Sequence, residues 1–165
     1  MKSLIGMIFL AIASTAGVAR AEGVPALGAL APRIEIGQWL SGEIKGAGPF
    51  AGKTVILEFF ATWCRPCWAA VPHMNELVAK FANDNIVFIS MTHEKAEDIA
   101  SRIGMMGIKS RVAVDHDGAT HEAFGIESIP YLVLIDQNGF IRWQGHPMAF
   151  SADQLAAFLK SVGVK

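Results

Sequence analysis

Apolar runs and amphipathic stretches alternate along most of this chain, and their periods predict its secondary structure. Residues 54–60 and 86–91 are nearly continuous in apolar side chains, which is typical of strands buried on both faces of a sheet. Between them, apolar residues recur at helical spacing, which predicts a helix over 64–82 with Pro72 kinking its interior. The same spacing predicts a second helix over 96–106.

The remaining predicted elements are shorter. They are an extended segment over 22–33, a hairpin arm over 34–44, a strand over 112–114, a short helix over 119–124, strands over 131–135 and 140–143 joined by a turn at 136–139, and a last helix opened by a capping box of Ser151 and Gln154. Strands that alternate with helices indicate a parallel core, and the closing hairpin adds antiparallel strands. We therefore predict an α/β fold with a central mixed β-sheet flanked by helices.

The first residues do not continue this pattern. Lys2 precedes an uncharged apolar stretch, 4–18, and an Ala-x-Ala cleavage pattern follows at 19–21. We interpret 1–21 as a cleaved signal peptide and 22–165 as a single domain, so the protein is predicted to be periplasmic or otherwise exported, with no stable membrane span. The alternative is a retained segment that anchors the protein in a membrane, although the stretch is shorter than the roughly 20 residues of a spanning helix.

Composition narrows the classes of function. The chain has 165 residues, of which 52% are hydrophobic, so one domain can bury a sizeable core without disulfide staples. Its formal net charge is −1 and it contains no basic run, so nucleic-acid binding has no electrostatic support and no nucleic-acid partner is expected. Exported proteins that use cysteines for stability usually have many, whereas this chain has 2.

The two cysteines, Cys64 and Cys67, form a Cys-x-x-Cys directly after the predicted strand 54–60 and at a predicted helix start. This arrangement builds a dithiol redox centre. A bridge between them closes so short a loop that it removes little chain entropy, so a reversible dithiol fits better than a structural disulfide. A zinc half-site or a pair of inert thiols is the alternative. Zinc normally takes four ligands and the 5 histidines form no ligand-spaced pair, so no metal is expected.

The position of each cysteine predicts its role. A thiolate at Cys64 would meet unpaired N–H groups and the positive end of the helix dipole, which should lower its pKa. Arg65 adds positive charge nearby, or is simply a solvated surface residue, and Pro66 suits an early helical position. We assign Cys64 as the accessible attacking nucleophile and Cys67, one turn deeper, as the shielded resolving thiol.

Five features together identify a family resemblance. They are the segment 57–67, which ends in Trp63-Cys64-Arg65-Pro66-Cys67; Pro72 in the following helix; Ile129-Pro130-Tyr131 before a strand; Asp136-Gln137-Asn138-Gly139 in a hairpin; and extra strand-helix material between 86 and 124. The chain resembles the thioredoxin superfamily, specifically the exported TlpA/ResA-like thiol:disulfide oxidoreductases. This resemblance implies a thioredoxin-like fold with an inserted strand-helix segment between its two halves. It also implies that Arg65 and Pro66 tune the redox potential, and that the Cys64–Cys67 disulfide serves in place of a cofactor.

Glu58 is a carboxylate in an otherwise apolar strand, where desolvation should raise its pKa. The resemblance implies that it lies beneath Cys67 and relays its proton through water. Many TlpA-like chains have a non-acidic residue here and thioredoxin has Asp, so Glu58 departs from both; a partly exposed edge glutamate is the alternative. His93 follows the strand 86–91, where loops often carry function, but a solvated loop histidine is the simpler interpretation.

Pro130 opens a predicted strand, where a proline would interrupt a central ladder. The resemblance implies a cis peptide bond facing Cys64, with the backbone of Ile129 pairing with a substrate strand; an ordinary trans proline is the alternative. Trp63 is expected to shield the dithiol and border the docking surface, and Tyr131 to line the same groove. Core packing is the alternative for both aromatic residues.

The resemblance implies an exported oxidoreductase that acts on cysteine-containing client proteins, usually as a reductant, for example in cytochrome c maturation or metal-site assembly. A membrane electron donor would restore its dithiol. The same residues also suit an oxidant or isomerase, because the sequence does not fix the redox direction. A peroxidase of this fold would need Thr-x-x-Cys, whereas Thr62 lies too close to Cys64, and a copper-delivery protein would need a longer cysteine spacing with a distal histidine.

Overall fold

The computed structural model describes residues 23–46 and 48–164, which form six β-strands and four α-helices. The strands are β1 (Ile36–Ser41), β2 (Thr54–Phe59), β3 (Ile86–Thr92), β4 (Arg111–Asp115), β5 (Tyr131–Ile135) and β6 (Ile141–Gly145). The helices are α1 (Arg65–Phe81), α2 (Ala96–Met106), α3 (Ala119–Ala123) and α4 (Ala152–Ser161), with a 3-10 turn at Pro147–Ala149. The signal peptide predicted at 1–21 lies outside the described residues. None of the helices just named combines the length and the apolar character that crossing a bilayer requires.

The six strands join in one mixed sheet with the order β1-β4-β3-β2-β5-β6. Strands β2, β3 and β4 are parallel to one another, whereas β1, β5 and β6 run antiparallel to their neighbours. The parallel core follows from the alternation of strands and helices, and the antiparallel strands β5 and β6 from the closing hairpin, as predicted. The segment predicted as an insertion, 86–124, contributes β3, α2, β4 and α3.

Both edges of the sheet are bordered by the N-terminal part of the chain. The hairpin arm predicted over 34–44 is wrong, because β1 pairs with β4, with Trp39 opposite Ala113. Without β1, the outer side of β4 would leave a row of backbone donors and acceptors unpaired. At the other edge, the predicted extended segment lies beside β6, where the Gly28 N–H donates to the Ile141 carbonyl at 2.8 Å.

Alternate residues of the central strand β2 enter two apolar cores, one on each face of the sheet. Leu57 and Phe59 point into one core, and Ile56 points into the other, where it packs with Met74 of α1 and Leu155 of α4. All six residues of β2 are buried, because the strand is central and both of its faces are covered. Any polar side chain in β2 is therefore placed inside the protein.

The predicted helix signals are present in the structure. The Ser151 N–H donates to Gln154 Oε1 at 2.7 Å, and the Gln154 N–H donates to Ser151 Oγ at 3.2 Å, which confirms the capping box of α4. Pro72 lies inside α1, which continues through it. Helix α1 begins one residue after the first cysteine, and this start determines the geometry of the candidate site.

Candidate redox-active site

Cys64 and Cys67 form a disulfide at the N-terminus of α1, with their Cα atoms 5.3 Å apart. Cys64 is the N-cap residue, and its Sγ accepts a hydrogen bond from the Cys67 N–H at 3.2 Å. Pro66 occupies the first turn, where a missing N–H leaves no intrahelical hydrogen bond unmade. The sulfur of Cys64 thus lies where free backbone donors and the positive end of the helix dipole favour negative charge, as the sequence predicted.

The difference in accessibility between the two cysteines is smaller than the sequence suggested. Cys67 is 1% exposed, as expected for a shielded thiol, but Cys64 is only 4% exposed in the disulfide form. Both belong to an apolar cluster with Phe60, directly after β2, and Met106, at the end of α2. The expectation of an openly accessible Cys64 was wrong because α2, far away in sequence, packs against the cysteine pair.

Three neighbours of Cys64 are exposed instead. Trp63 is 63% exposed, so the alternative that it is a core residue is wrong. Arg65 and Pro66, in the first turn of α1, are also exposed. A partner therefore meets Trp63, Arg65 and Pro66 before it reaches sulfur. The effect of Arg65 and Pro66 on the redox potential stays a prediction.

The loop before β5 approaches the disulfide from another side. The Ile129–Pro130 peptide bond is cis, and the Ile129 carbonyl oxygen lies 3.9 Å from Cys64 Sγ, which confirms the predicted juxtaposition. Tyr131 is not brought to the cysteines. It pairs across the strands with Phe59 and packs in that residue's core, on the opposite face of the sheet, where burial raises the pKa of its phenol. The position of Tyr131 therefore does not support the prediction that it lines a substrate groove beside the cysteines.

Glu58 lies inside the sheet, on the face of β2 away from Leu57 and Phe59, and Phe60 of the cysteine cluster comes directly after this strand. It is 5% exposed, so the alternative of a partly exposed edge glutamate is wrong. Desolvation raises the pKa of Glu58 from 4.5 to about 7, and a hydrogen bond from Ser90 Oγ to Oε2 at 2.7 Å opposes this rise. Ser90 Oγ also lies 2.6 Å from Ser110 Oγ. Since Ser90 gives its only hydroxyl proton to an ionised Glu58, Ser110 must then be the donor to Ser90.

Glu94 is a positioning residue that the sequence did not reveal. It follows β3, and its carboxylate accepts from the Thr62 hydroxyl at 2.7 Å, from the Thr62 N–H and from the Thr92 hydroxyl at 3.1 Å. Trp68 Nε1 donates to the Thr62 carbonyl at 2.8 Å. These bonds fix the segment between β2 and Cys64. The sequence points to this loop only through His93, one residue earlier.

The histidine of that loop belongs to a different group of side chains. The His93 ring contacts the ring of His121, and His121 Nδ1 lies 2.7 Å from Asp115 Oδ2. Burial lowers the pKa of His121, against the opposing effect of Asp115. His121 also packs edge-on against Phe59, on the sheet face away from the cysteines. Within 23–46 and 48–164, no three His, Cys, Asp or Glu side chains are placed to hold a metal ion.

Comparison with known proteins identifies the family to which this chain belongs. The model of the AhpC/TSA family matches residues 27–144. The chain belongs to the AhpC/TSA family. Among curated relatives, it is 32% identical over 115 residues to the thiol-disulfide oxidoreductase ResA of Bacillus thuringiensis subsp. konkukian, a match that covers 68% of this chain and 65% of that protein. The ResA of Geobacillus thermodenitrificans is 27% identical over 118 residues, which is 71% of this chain and 67% of that protein. The alignment with the first of these ResA proteins thus spans slightly less than two thirds of its length.

Solved structures of this family's neighbours share the architecture. A putative thiol:disulfide interchange protein DsbE from Chlorobium tepidum is 26% identical and superposes with a TM-score of 0.63, covering 84% of this chain and 96% of that chain. The thioredoxin domain of a thiol-disulfide oxidoreductase from Bacteroides vulgatus is 20% identical with a TM-score of 0.68, covering 84% and 98%, which is a likeness of fold. The predicted thioredoxin-like fold and the resemblance to the ResA group are confirmed.

Proposed function

We propose that this chain is an exported thiol:disulfide oxidoreductase that reduces disulfides in client proteins through Cys64 and Cys67. The observation that carries the proposal is a disulfide at a helix N-terminus, in which Cys64 Sγ faces the Ile129 carbonyl. Glu58 is buried in the neighbouring strand β2. The names of the relatives and of the DsbE structure support the same class of chemistry. Maturation of cytochrome c and assembly of metal sites are the settings that the resemblance favours.

The reduced protein would act in two exchange steps. The Cys64 thiolate attacks one sulfur of a client disulfide, forms a mixed disulfide and releases the other client sulfur as a thiolate, which takes a proton from solvent. Cys67 then loses its proton and attacks Cys64 Sγ, which releases the second client thiolate, and this thiolate takes up the proton that Cys67 gave up. The client gains two electrons and two protons, and the protein is left with the Cys64–Cys67 disulfide. A membrane electron donor would return it to the dithiol.

Glu58 is proposed to handle the proton of Cys67. With a pKa of about 7, its carboxyl group exists in both protonation states near neutral pH, so it can accept a proton and return it. Among the described residues, its hydrogen-bond partner is the hydroxyl group of Ser90, and the hydroxyl group of Ser110 lies beyond it. A water molecule would complete the path between Glu58 and the sulfur of Cys67.

Trapping of a mixed disulfide tests the assignment. Cys67→Ser leaves the attacking sulfur without its resolving partner, so it should accumulate a covalent complex with a disulfide-bonded peptide, visible by non-reducing electrophoresis and mass spectrometry. Cys64→Ser is the matched control and should trap none. Equal trapping by both variants would overturn the roles, and absence of trapping by either would overturn the function. Faster reaction of the wild-type dithiol with hydrogen peroxide than with the peptide would favour a peroxidase instead.

A further inference from the structure

A groove opens at the surface beside the disulfide, with a volume of about 450 Å³. Its lining residues come from the segment before α1, from the first turns of α1 and from α2, and we call it the Arg-Trp groove: Thr62, Trp63, Arg65, Trp68, Arg102 and Met105. Trp63 and Arg65 are the chain neighbours of Cys64. Whatever occupies the groove is therefore placed next to the attacking sulfur.

Large apolar side chains are exposed in the groove. Trp63 is 63% exposed, Met105 70% and Trp68 38%. Clustered exposure of this kind marks an interaction site more often than isolated apolar residues do. Trp68 is held in place by its bond to the Thr62 carbonyl, and Thr62 by its bonds to Glu94. This part of the groove is therefore ordered before a partner arrives, which reduces the entropy lost on binding.

The charge of the groove has one sign. Among the described residues that line it, Arg65 and Arg102 are the only ionisable ones. Among the described residues, neither guanidinium lies within ion-pairing distance of a carboxylate, and the contact of Arg102 is to the Thr62 hydroxyl at 3.5 Å. The nearby carboxylate of Glu94 already accepts three donors from Thr62 and Thr92. Two guanidinium groups with no carboxylate partner among residues 23–46 and 48–164 thus border an apolar surface, in a protein whose overall charge is −1.

We propose that the Arg-Trp groove binds an acidic segment of the client protein that flanks the client's disulfide and carries an apolar side chain. This inference rests on the proposed function and adds the chemistry of its substrate. Guanidinium groups pair with carboxylates through charge-assisted, often bidentate hydrogen bonds, and Trp63, Trp68 and Met105 accept the apolar side chain. The same charges steer an acidic client toward Cys64 and disfavour a basic one.

Three disulfide-bonded peptides test the proposal. They share one sequence with a leucine beside the disulfide and differ only in two flanking residues, which are Glu, Gln or Lys. Reduction by an excess of the pre-reduced wild-type protein is followed as a second-order rate constant for a single turnover. Because exposed ion pairs are individually weak, we expect the Glu peptide to react about fivefold to tenfold faster than the Lys peptide at low ionic strength, with most of the difference lost in about 0.5 M salt.

Charge reversal sharpens the test. Arg102→Glu should remove or invert the preference for the Glu peptide over the Lys peptide, and Arg102→Gln should reduce it, with each preference taken as the ratio of the two rates within one variant. Lys160→Gln, an exposed charge in the last turn of α4 outside the groove, is the matched control and should leave the preference unchanged. Equal rates for the three wild-type reactions, or an unchanged preference in Arg102→Glu, would overturn the groove proposal and leave the function standing. No exchange with any peptide would overturn the function itself.

Discussion

Replacing Glu58 by glutamine tests the effect of burying a carboxyl group in the central strand. Burial raises the pKa of Glu58 from 4.5 to about 7, a difference of about 2.5 units. At about 1.4 kcal/mol per unit, the folded state loses about 3 kcal/mol of stability when this group ionises. Glutamine has nearly the same shape, can still accept from Ser90 and does not ionise.

The sign follows from proton binding. Between pH 4.5 and about 7 the folded protein holds the Glu58 proton while the unfolded chain has released it, so the free energy of unfolding falls as pH rises through this window and levels off above it. Relative to wild type, Glu58→Gln should therefore gain about 3 kcal/mol between pH 4 and pH 9. Other titrating groups, His121 among them, are common to both proteins and cancel in the difference.

Urea unfolding at pH 4, 5, 6, 7, 8 and 9 measures this difference in the free energy of unfolding. The oxidised protein is used because its disulfide keeps both cysteines from titrating. Glu76→Gln, an exposed glutamate of α1, is the matched control and should show a nearly constant difference from wild type. A pH-independent difference for Glu58→Gln as well would refute the claim that desolvation of the Glu58 carboxyl dominates its titration.

Two further substitutions test the surroundings of the site. Ser90→Ala removes the hydrogen bond that opposes the effect of burial, so the pKa of Glu58 should rise above 7, as followed by NMR titration of the carboxyl carbon; an unchanged or lower pKa would contradict the described contact. Glu94→Ala leaves the Thr62 N–H and hydroxyl without their acceptor, which should cost about 1–3 kcal/mol in urea unfolding, whereas Glu97→Ala, at an exposed glutamate of α2, should cost close to nothing. Equal losses in these two variants would show that the loop before α1 does not depend on Glu94.

Local patterns were sufficient for the elements that flank the cysteines and for the last helix. The apolar run of β2, the helical spacing of α1 and the capping box of α4 are properties of short segments, and each appears where it was predicted. The placement of Cys64 at a helix N-terminus follows from β2 and α1 alone. The cis bond before Pro130 and its approach to Cys64 came from family resemblance and not from any local pattern.

Contacts between distant segments could not be predicted in this way. The pairing of β1 with β4 depends on an edge that exists only in the assembled sheet. Ser90 meets Glu58 because β2 and β3 pair in a parallel register that sets these residues side by side, and a serine in an apolar strand carries no signal of its own. The burial of Cys64 depends on Met106 at the end of α2, and the Arg-Trp groove needs Arg102 from the same helix.

The midpoint potential of the Cys64–Cys67 couple tests most directly whether this protein gives electrons to the disulfides of other proteins. Equilibration with glutathione and dithiothreitol buffers, read by alkylation and mass spectrometry, should give a potential close to that of thioredoxin, at about −270 mV. A potential near about −120 mV would identify an oxidant, and a disulfide that does not exchange with either buffer would leave it only a structural role.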